Sequence, residues 1–225
     1  MYQVSLLQYN WLAMKMANAG FLKHIDRLKG VVYDLGCGSR PFEGEIRARA
    51  DKYVGVDWEH SYHGLHADVL ADLNETLPID DASADAVIAL SVLEHLREPE
   101  QMLRESFRIL RPGGFIYIGV PFQWEVHEAP HDYYRFTRYG LEYLLRKTGF
   151  VSIDVEENSG FWTTWILKLN YQTGRLLRGP APLRLLIQAC LLPLWLLDQS
   201  VAPVLDRMFP APSETQGYNA IAIKP

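Results

Sequence analysis

Acidic residues stand at the ends of two short apolar segments near the start of the chain. Asp34 ends the segment "VVYD" and Asp57 ends "YVGVD". Directly after the first segment, Gly36 and Gly38 flank the small residue Cys37. A backbone without side chains can turn sharply and lie close to a ligand. Two carboxylates beside such a turn favour a ligand with hydroxyl groups or positive charge.

A second set of reactive side chains follows two later apolar segments. His95 lies in "VLEHL", and His127 and His131 lie in "WEVHEAPHDYY". Neutral imidazole accepts a proton near neutral pH, so His127 or His131 could act as a general base. The alternative is that these side chains only fix the loop as a lid. His95 and the neighbouring aromatic residues Trp124, Tyr133 and Tyr134 are candidates for binding an acceptor molecule.

Strand and helix patterns alternate over most of the chain. Apolar segments predict strands at 31–35, 53–58, 66–73, 84–90, 115–122, 151–157 and 218–225. Helical spacing predicts helices over 42–50, 99–111 and 137–150, the last capped by Thr137, with "PGG" at 112–114 ending the second. Opening helices are predicted between Val4 and Leu28. Such alternation is typical of a parallel sheet covered by helices.

The predicted fold is α/β, with a Rossmann-like, doubly wound, seven-stranded sheet. The sheet is expected to be mostly parallel with an antiparallel last strand, because the segment at 151–157 pairs most simply with that at 218–225. We predict one domain over 1–225. It has an N-terminal helical extension at 1–29, a ligand-binding core at 30–158, an apolar helical insertion at 159–213 and a terminal strand at 214–225.

The composition limits the class of protein. A net charge of −5 over 225 residues argues against a nucleic-acid partner, because phosphate binding needs clustered cations. Cys37 and Cys190 have no paired spacing, which fits a reducing cytoplasm. The N-terminus has no basic region before its apolar residues, so we expect no secretory signal.

The sequence of the apolar insertion is compatible with several environments. Its longest charge-free stretch has 13 residues, where a bilayer span needs about 20. We therefore expect no span. Arg175, Arg178 and Arg184 precede this stretch, which suits peripheral contact of 160–210 with the inner face of a membrane, or an apolar acceptor pocket. The alternatives are a helical cap on the core or a homodimer contact.

The glycine turn distinguishes between two kinds of ligand. A dinucleotide would require a third glycine at position 41, where this chain has Pro41. An adenosyl ligand without phosphates fits better, because Asp57 can accept both ribose hydroxyls and the acids attract a sulfonium and an ammonium group. S-adenosylmethionine is such a ligand.

Five segments in order resemble the class I S-adenosylmethionine-dependent methyltransferases, and within them the small-molecule type called type 11. They are "VVYDLGCGSRPF", "YVGVDW", "ADLNETLPIDDASADAVIALSVLEHL", "ILRPGGFIYIGVPF" and "HDYYRFTRYGLEYLLRKTGF". The resemblance implies transfer of a methyl group to a small-molecule or lipid- or glycan-linked acceptor. We expect an oxygen to be methylated, with a nitrogen or a carbon as the less favoured alternatives. It implies that the cofactor lies against Asp34, Gly36, Cys37, Gly38, Asp57, Trp58, Asp72, Leu73 and Ser91.

Three other interpretations stay open. Glu94 and His95 with two later histidines resemble the metal set of some RNA-end and catechol-like methyltransferases, but position 91 is Ser where the closest pattern has a second Glu. We therefore expect no metal. A methyltransferase-like scaffold subunit without activity would keep the same fold. An NAD(P)-dependent oxidoreductase would share the sheet and Asp57, but Pro41 argues against it.

Overall fold

The computed structural model describes residues 1–2, 5–64 and 66–225. The predicted helix start at Val4 lies outside the described residues. The chain divides into two compact units. The sheet unit contains Met1, Leu22–Glu156 and Gly217–Pro225, and the helical unit contains Tyr2–Phe21 and Glu157–Gln216.

The sheet unit is built on seven strands. They are β1 (Val31–Leu35), β2 (Lys52–Asp57), β3 (Val69–Leu70), β4 (Ala84–Leu90), β5 (Leu110–Pro121), β6 (Val151–Glu157) and β7 (Gly217–Ile223). Their order across the sheet is β3-β2-β1-β4-β5-β7-β6. The pairs from β3 to β5 are parallel, and β7 is antiparallel to β5. The predicted seven-stranded fold, mostly parallel with an antiparallel last strand, is confirmed.

Three helices connect strands of this sheet. They are α2 (Glu43–Arg47), α3 (Pro99–Ile109) and α4 (Arg138–Lys147). Thr137 caps α4 as predicted, since its hydroxyl oxygen accepts from the Gly140 amide at 3.1 Å. Met102 and Leu103 of α3 and Leu141 of α4 are fully buried in the core cluster that covers the sheet. Burial of these side chains holds the helices against the strands.

Two predicted elements differ from the structure. The segment "PGG" lies inside β5, because the backbone is already extended at Leu110, directly after α3. The strand predicted over 66–73 is reduced to Val69–Leu70. The Asp68 carboxylate, just before β3, accepts a hydrogen bond from the Gly55 amide of β2 at 2.8 Å. A side chain therefore uses a backbone donor of β2 that would otherwise pair with a longer β3.

The order of the strands locates the ligand side of the sheet. From β1 the chain goes outward to β2 and β3 and then returns to β4 on the other side of β1. In open parallel sheets, ligands bind beyond the carboxyl ends of the strands where the order reverses. This places the loops that follow β1, β2, β4 and β5 at one edge.

The helical unit contains α5 (Phe161–Gly174), α6 (Ala181–Met208) and α1 (Trp11–Leu22), whose last residue belongs to the sheet unit. Polar groups join these helices. The fully buried Gln199 accepts from the Leu12 amide at 2.9 Å, and the Trp195 indole donates to Thr173 at 3.0 Å. Asp206 accepts from three amides of the first turn of α5, those of Gly160, Trp162 and Thr163. The predicted helical insertion is confirmed.

Helix α6 is longer than its prolines suggest. It runs for 28 residues through Pro193 and Pro203, and by length and composition alone it is long enough to cross a membrane. Asp198, within this helix, is buried and accepts from the Asn170 side chain at 3.0 Å. Opposite the buried side, α6 exposes an apolar stripe at helical spacing. The stripe consists of Leu183, Leu186, Cys190, Leu194, Leu197, Val201, Val204 and Met208.

Candidate functional site

The turn after β1 is held in a conformation that requires glycine. Gly36 has φ of +72° and Gly38 has φ of +49°. A Cβ on Gly36 would lie 2.4 Å from Cγ2 of Val92, which no side chain tolerates. The amides of Gly36 and Cys37 both donate to the Val56 carbonyl, at 2.8 and 3.1 Å, so the turn is fixed to β2.

Asp34 is buried at the end of β1. Its Oδ2 accepts from the Tyr53 hydroxyl at 2.7 Å. Burial raises the pKa of Asp34 to about 6, and the Tyr53 hydrogen bond opposes that shift. A buried carboxylate with a raised pKa is a strained group that gains from a cationic partner, such as the ammonium or sulfonium of a ligand.

Asp57 ends β2 and joins it to the glycine turn. Its Oδ2 accepts from the Gly38 amide at 2.9 Å and from the Ser61 hydroxyl at 3.2 Å, and its Oδ1 accepts from the Trp58 amide at 2.8 Å. A carboxylate has about four acceptor positions, so the residues that the structure describes leave one for a ligand. Displacement of the Ser61 hydroxyl would release a second, enough for both hydroxyls of a ribose.

Cys37 points into the protein. It is buried, and burial raises the pKa of its thiol to about 12, so it is not a reactive thiolate. A Cβ on Gly55 would come within 2.8 Å of the Cys37 sulfur. Cys37 therefore fills the space beside β2, and only its backbone is available to a ligand.

The remaining predicted cofactor residues differ in their exposure. Asp72 is exposed after β3, where its carboxylate accepts from the Asn74 amide at 2.9 Å. Leu73 is buried in the core cluster, which leaves its backbone as the part near a ligand. Ser91 is exposed directly after β4 with φ of +53°. Asp68, the other acid near β3, is instead paired with Arg40 at 2.8 Å.

Glu94, His95 and His127 converge beyond β4 and β5. Their nearest ligand atoms all lie within 4.8 Å of one another. Oε1 of Glu94 is 3.7 Å from Nε2 of His95 and 3.9 Å from Nε2 of His127. Glu94 is completely buried, and neither of its oxygens has a hydrogen-bond partner among the described residues. Burial raises the pKa of Glu94 to about 8 and lowers the pKa of His95.

The other ring nitrogens of these histidines face hydrogen-bond acceptors. Nδ1 of His95 lies 2.7 Å from the His131 carbonyl, so it carries the proton there. Nδ1 of His127 lies 3.2 Å from the Glu125 carbonyl and 3.4 Å from Oδ2 of Asp132. Arg135 also approaches that nitrogen, at 3.5 Å, but a donor at this distance competes weakly. Both Nε2 atoms therefore present lone pairs toward Glu94.

The loop after β5 is held by an ion pair. Asp132 accepts from Arg135 at 2.6 and 2.8 Å and from the His127 amide at 2.9 Å. These bonds lower the pKa of Asp132 to about 2. Arg135 also donates to the carbonyls of Trp124 and Glu125. The ion pair thus fixes the loop that carries His127.

His131 lies apart from this convergence. Its ring packs edge-on against Trp58 at 5.2 Å between centroids, and its Nδ1 is 3.3 Å from the Tyr133 hydroxyl. The two histidines predicted as candidate bases are therefore separated: His127 faces Glu94, and His131 joins the loop after β5 to the loop after β2. Tyr133 and Tyr134 are exposed, with their amides bonded to the Glu94 carbonyl, and Trp124 is partly buried.

Comparison with known proteins identifies the core. Residues 33–118 match the family model described as a methyltransferase domain, Methyltransf_11. The resemblance seen in the sequence is confirmed, and S-adenosylmethionine is the cofactor of that class.

Two curated relatives match parts of the chain. A probable S-adenosylmethionine-dependent methyltransferase of Mycolicibacterium smegmatis is 31% identical over 40% of this chain and 37% of its own length. A ubiquinone biosynthesis O-methyltransferase of Pseudomonas savastanoi is 24% identical over 64% of this chain and 61% of its own length. The chain thus spans less than two thirds of the length of either relative.

A solved structure has the same fold. The S-adenosylmethionine-dependent methyltransferase of Archaeoglobus fulgidus superposes with a TM-score of 0.59 at 17% identity, over 95% of this chain and 94% of that one. At this identity the likeness shows the fold alone.

Three residues of the site have roles that the sequence did not suggest, and a fourth, Glu94, was considered only as part of a metal set. Tyr53 holds Asp34, Asp132 holds His127, and Glu94 and Glu128 lie beside the histidines. The order "EH" in one loop and "HE" in the next was the available signal. The sequence placed the two histidine-bearing loops at the same edge of the sheet, and the strand order agrees with this.

Proposed function

We propose that this chain is an S-adenosylmethionine-dependent methyltransferase that transfers a methyl group to an oxygen of a small-molecule or lipid- or glycan-linked acceptor. The observation that carries the proposal is the pair of buried carboxylates, Asp34 and Asp57, on either side of the turn at Gly36–Gly38. This pair supplies one acid for the cationic end of the cofactor and one for its ribose. Cys37, Trp58, Asp72, Leu73 and Ser91 would complete the cofactor site.

Oxygen is the favoured acceptor atom because of the groups beyond β4 and β5. A hydroxyl acceptor must lose a proton as it is methylated, and the Nε2 atoms of His95 and His127 present lone pairs at that edge. The ubiquinone biosynthesis relative is named as an O-methyltransferase, which supports the same choice. Trp124, Tyr133 and Tyr134 provide aromatic surface for the acceptor.

The apolar stripe of α6 favours an amphiphilic acceptor at a membrane surface. Leu186, Leu197 and Val204 are about half exposed or more, on the side of the helix opposite the buried Trp195. Arg184 near the start of α6 and Arg207 near its end could bind anionic head groups. The proposal therefore includes a cytoplasmic enzyme that contacts the inner face of a membrane through 160–210.

Cofactor binding is tested by calorimetry. S-adenosylmethionine and S-adenosylhomocysteine should bind with micromolar affinity, and a nicotinamide dinucleotide should not. Asp57→Asn should weaken binding by about 10- to 100-fold, the usual worth of hydrogen bonds to a charged group. Asp51→Asn, at the exposed start of β2, is the matched control and should bind as the unmodified chain.

Each alternative predicts a different result. A nicotinamide dinucleotide that binds in place of the adenosyl compounds would indicate an oxidoreductase. No binding by a folded sample would overturn the cofactor assignment and favour a scaffold subunit. Cofactor binding without turnover, together with stable copurification of a second chain, would overturn the enzyme assignment and also favour a scaffold subunit.

Membrane contact is tested by flotation with vesicles of phosphatidylglycerol and phosphatidylcholine. The unmodified chain should float with anionic vesicles at low salt, and a Leu186→Glu, Leu197→Glu double variant should not. Ala189→Glu adds charge to an exposed position outside the stripe and should float normally. A dimer in light scattering that the double variant abolishes, without flotation of the unmodified chain, would show that the stripe is a dimer interface instead.

A further inference from the structure

Glu94 is a carboxyl group in an environment that does not satisfy it. It is completely buried, and both its oxygens lack hydrogen-bond partners among the described residues. A buried carboxylate without partners costs several kcal/mol and must bind either a proton or a cation. Arg135, whose charge favours the ionised form of Glu94, is already engaged by Asp132.

The side chains around Glu94 offer it lone pairs and negative charge instead of hydrogen-bond donors. Because Nδ1 of His95 faces the His131 carbonyl, its Nε2 presents a lone pair 3.7 Å from Oε1 of Glu94. His127 presents its Nε2 to the same oxygen at 3.9 Å. A second carboxylate lies nearby, with Oε2 of Glu128 4.0 Å from Nε2 of His95. Lone pairs and carboxylates that face one another without protons between them repel.

From this arrangement we infer a binding site for one divalent transition-metal ion, held by Glu94, His95 and His127, with Glu128 as a further ligand. Ligand atoms about 2.1 Å from such an ion lie roughly 3.0 to 3.4 Å apart. The observed Glu–His distances of 3.7 and 3.9 Å therefore have to shorten by less than 1 Å. The sequence predicted no metal because Ser stands at position 91, where the closest metal-binding pattern has a second Glu. The second carboxylate, that of Glu128, comes instead from the loop after β5.

The groups behind the histidines are those that metal sites commonly have. Metal-binding histidines usually donate their other ring nitrogen to a carbonyl or carboxylate, which fixes the ring. The His131 carbonyl does this for His95, and the Glu125 carbonyl and Asp132 do it for His127. Asp132 is held in turn by Arg135.

The ligand set indicates the class of ion. Two imidazoles with carboxylates suit Zn²⁺, Co²⁺, Mn²⁺ or Fe²⁺, whereas Mg²⁺ and Ca²⁺ prefer oxygen ligands only. With their Nε2 lone pairs on the ion, His95 and His127 would not accept the proton of the acceptor. Three or four protein ligands leave at least one position for an acceptor oxygen, whose proton the ion would make more acidic. This last step rests on the proposed methyl transfer, but binding of the ion does not.

The test is titration of the chelator-treated, dialysed protein with Co²⁺, followed by absorption spectroscopy, and with Zn²⁺ and Mg²⁺ by calorimetry. We expect one Co²⁺ per chain with visible bands of a four- or five-coordinate ion, and a Zn²⁺ affinity at least 100-fold above that for Mg²⁺. His127→Gln should weaken Zn²⁺ binding by at least 100-fold. His66→Gln, an exposed histidine outside the cluster, should leave it within twofold.

A second variant keeps the inference falsifiable if His127→Gln fails to fold. Glu94→Gln has the same shape without the charge, so it should fold and still lose Co²⁺ binding. Absence of the Co²⁺ bands in folded unmodified protein, or equal Zn²⁺ affinity in all variants, would overturn the site and leave Glu94 protonated. S-adenosylmethionine calorimetry is measured separately, so failure of the metal site is distinguishable from failure of the proposed function.

Discussion

The Tyr53 hydroxyl donates a 2.7 Å hydrogen bond to Oδ2 of Asp34, and both residues are buried on adjacent parallel strands. The hydrogen bond stabilises the carboxylate form of Asp34. Burial nevertheless raises the pKa of this group to about 6. The native state therefore holds a proton on Asp34 up to a higher pH than the unfolded state does. Stability from this group is complete below about pH 4 and is lost as the pH rises through 6.

Asp34→Asn should separate stability from function. Asn resembles the protonated acid and can still accept from Tyr53, so the variant should avoid the loss above pH 6. Its free energy of unfolding at pH 8 should exceed that of the unmodified chain by up to about 3 kcal/mol, the equivalent of the pKa shift. Cofactor binding should fall by about 10- to 100-fold, because the negative charge is gone.

Urea denaturation at pH 4 and pH 8, with calorimetry at pH 8, measures both effects. Tyr53→Phe is the opposite control, since loss of the donor raises the pKa of Asp34 further and should destabilise the protein at pH 8. An Asp34→Asn protein that is less stable at pH 8 would show that the charge of Asp34 supports the fold instead of the ligand.

The glycine turn offers a matched pair of substitutions. In Gly36→Ala, the new methyl group meets Val92 at 2.4 Å and the residue must keep φ of +72°, so about 2 to 4 kcal/mol of stability should be lost. Gly44→Ala, in α2, meets no atom within 4 Å and should gain about 0.5 to 1 kcal/mol. Thermal denaturation of both variants checks this. Equal melting temperatures would contradict the tight contact with Val92.

Sequence predicted the sheet better than the site, for a physical reason. Apolar runs such as "ADAVIAL" define a strand locally, and β4 covers Ala84–Leu90 as expected. The error at "PGG" arose because α3 ends before it and β5 begins at Leu110, which pairs with Ala84 of β4. Pairing resumes only at Phe115 after an irregularity in the register, and Gly113 within it has φ of +78°.

The convergence at Glu94 was beyond local reasoning. It depends on the lengths of two loops and on the ion pair between Asp132 and Arg135, which turns His127 toward β4. Residue spacing gives the lengths of the loops but neither their conformation nor this ion pair. The acids beside the glycine turn were predictable because their position is fixed by the strands that they end.

The ion pair of Asp132 should be essential to the loop. Arg135→Met leaves the nearly buried carboxylate of Asp132 without its partner and should cost about 3 kcal/mol, whereas adding Asp132→Asn to it should restore part of that loss. Melting temperatures of the two single variants and the double variant give the coupling. Additive losses would mean that the pair does not hold the loop, and hydrogen exchange at 123–136 would then be unchanged.

His131 provides the sharpest test of which histidine takes part in chemistry. Its ring contacts Trp58 and Tyr133, and its carbonyl, not its side chain, holds His95. His131→Phe keeps a ring at this position, so we expect kcat within about threefold of the unmodified enzyme and the same pH profile. Loss of a general base would instead lower kcat by about 100-fold or more. His131→Ala removes the ring as well and should raise KM by loosening the loop against Trp58. A large fall in kcat for His131→Phe, with KM unchanged, would assign the base to His131.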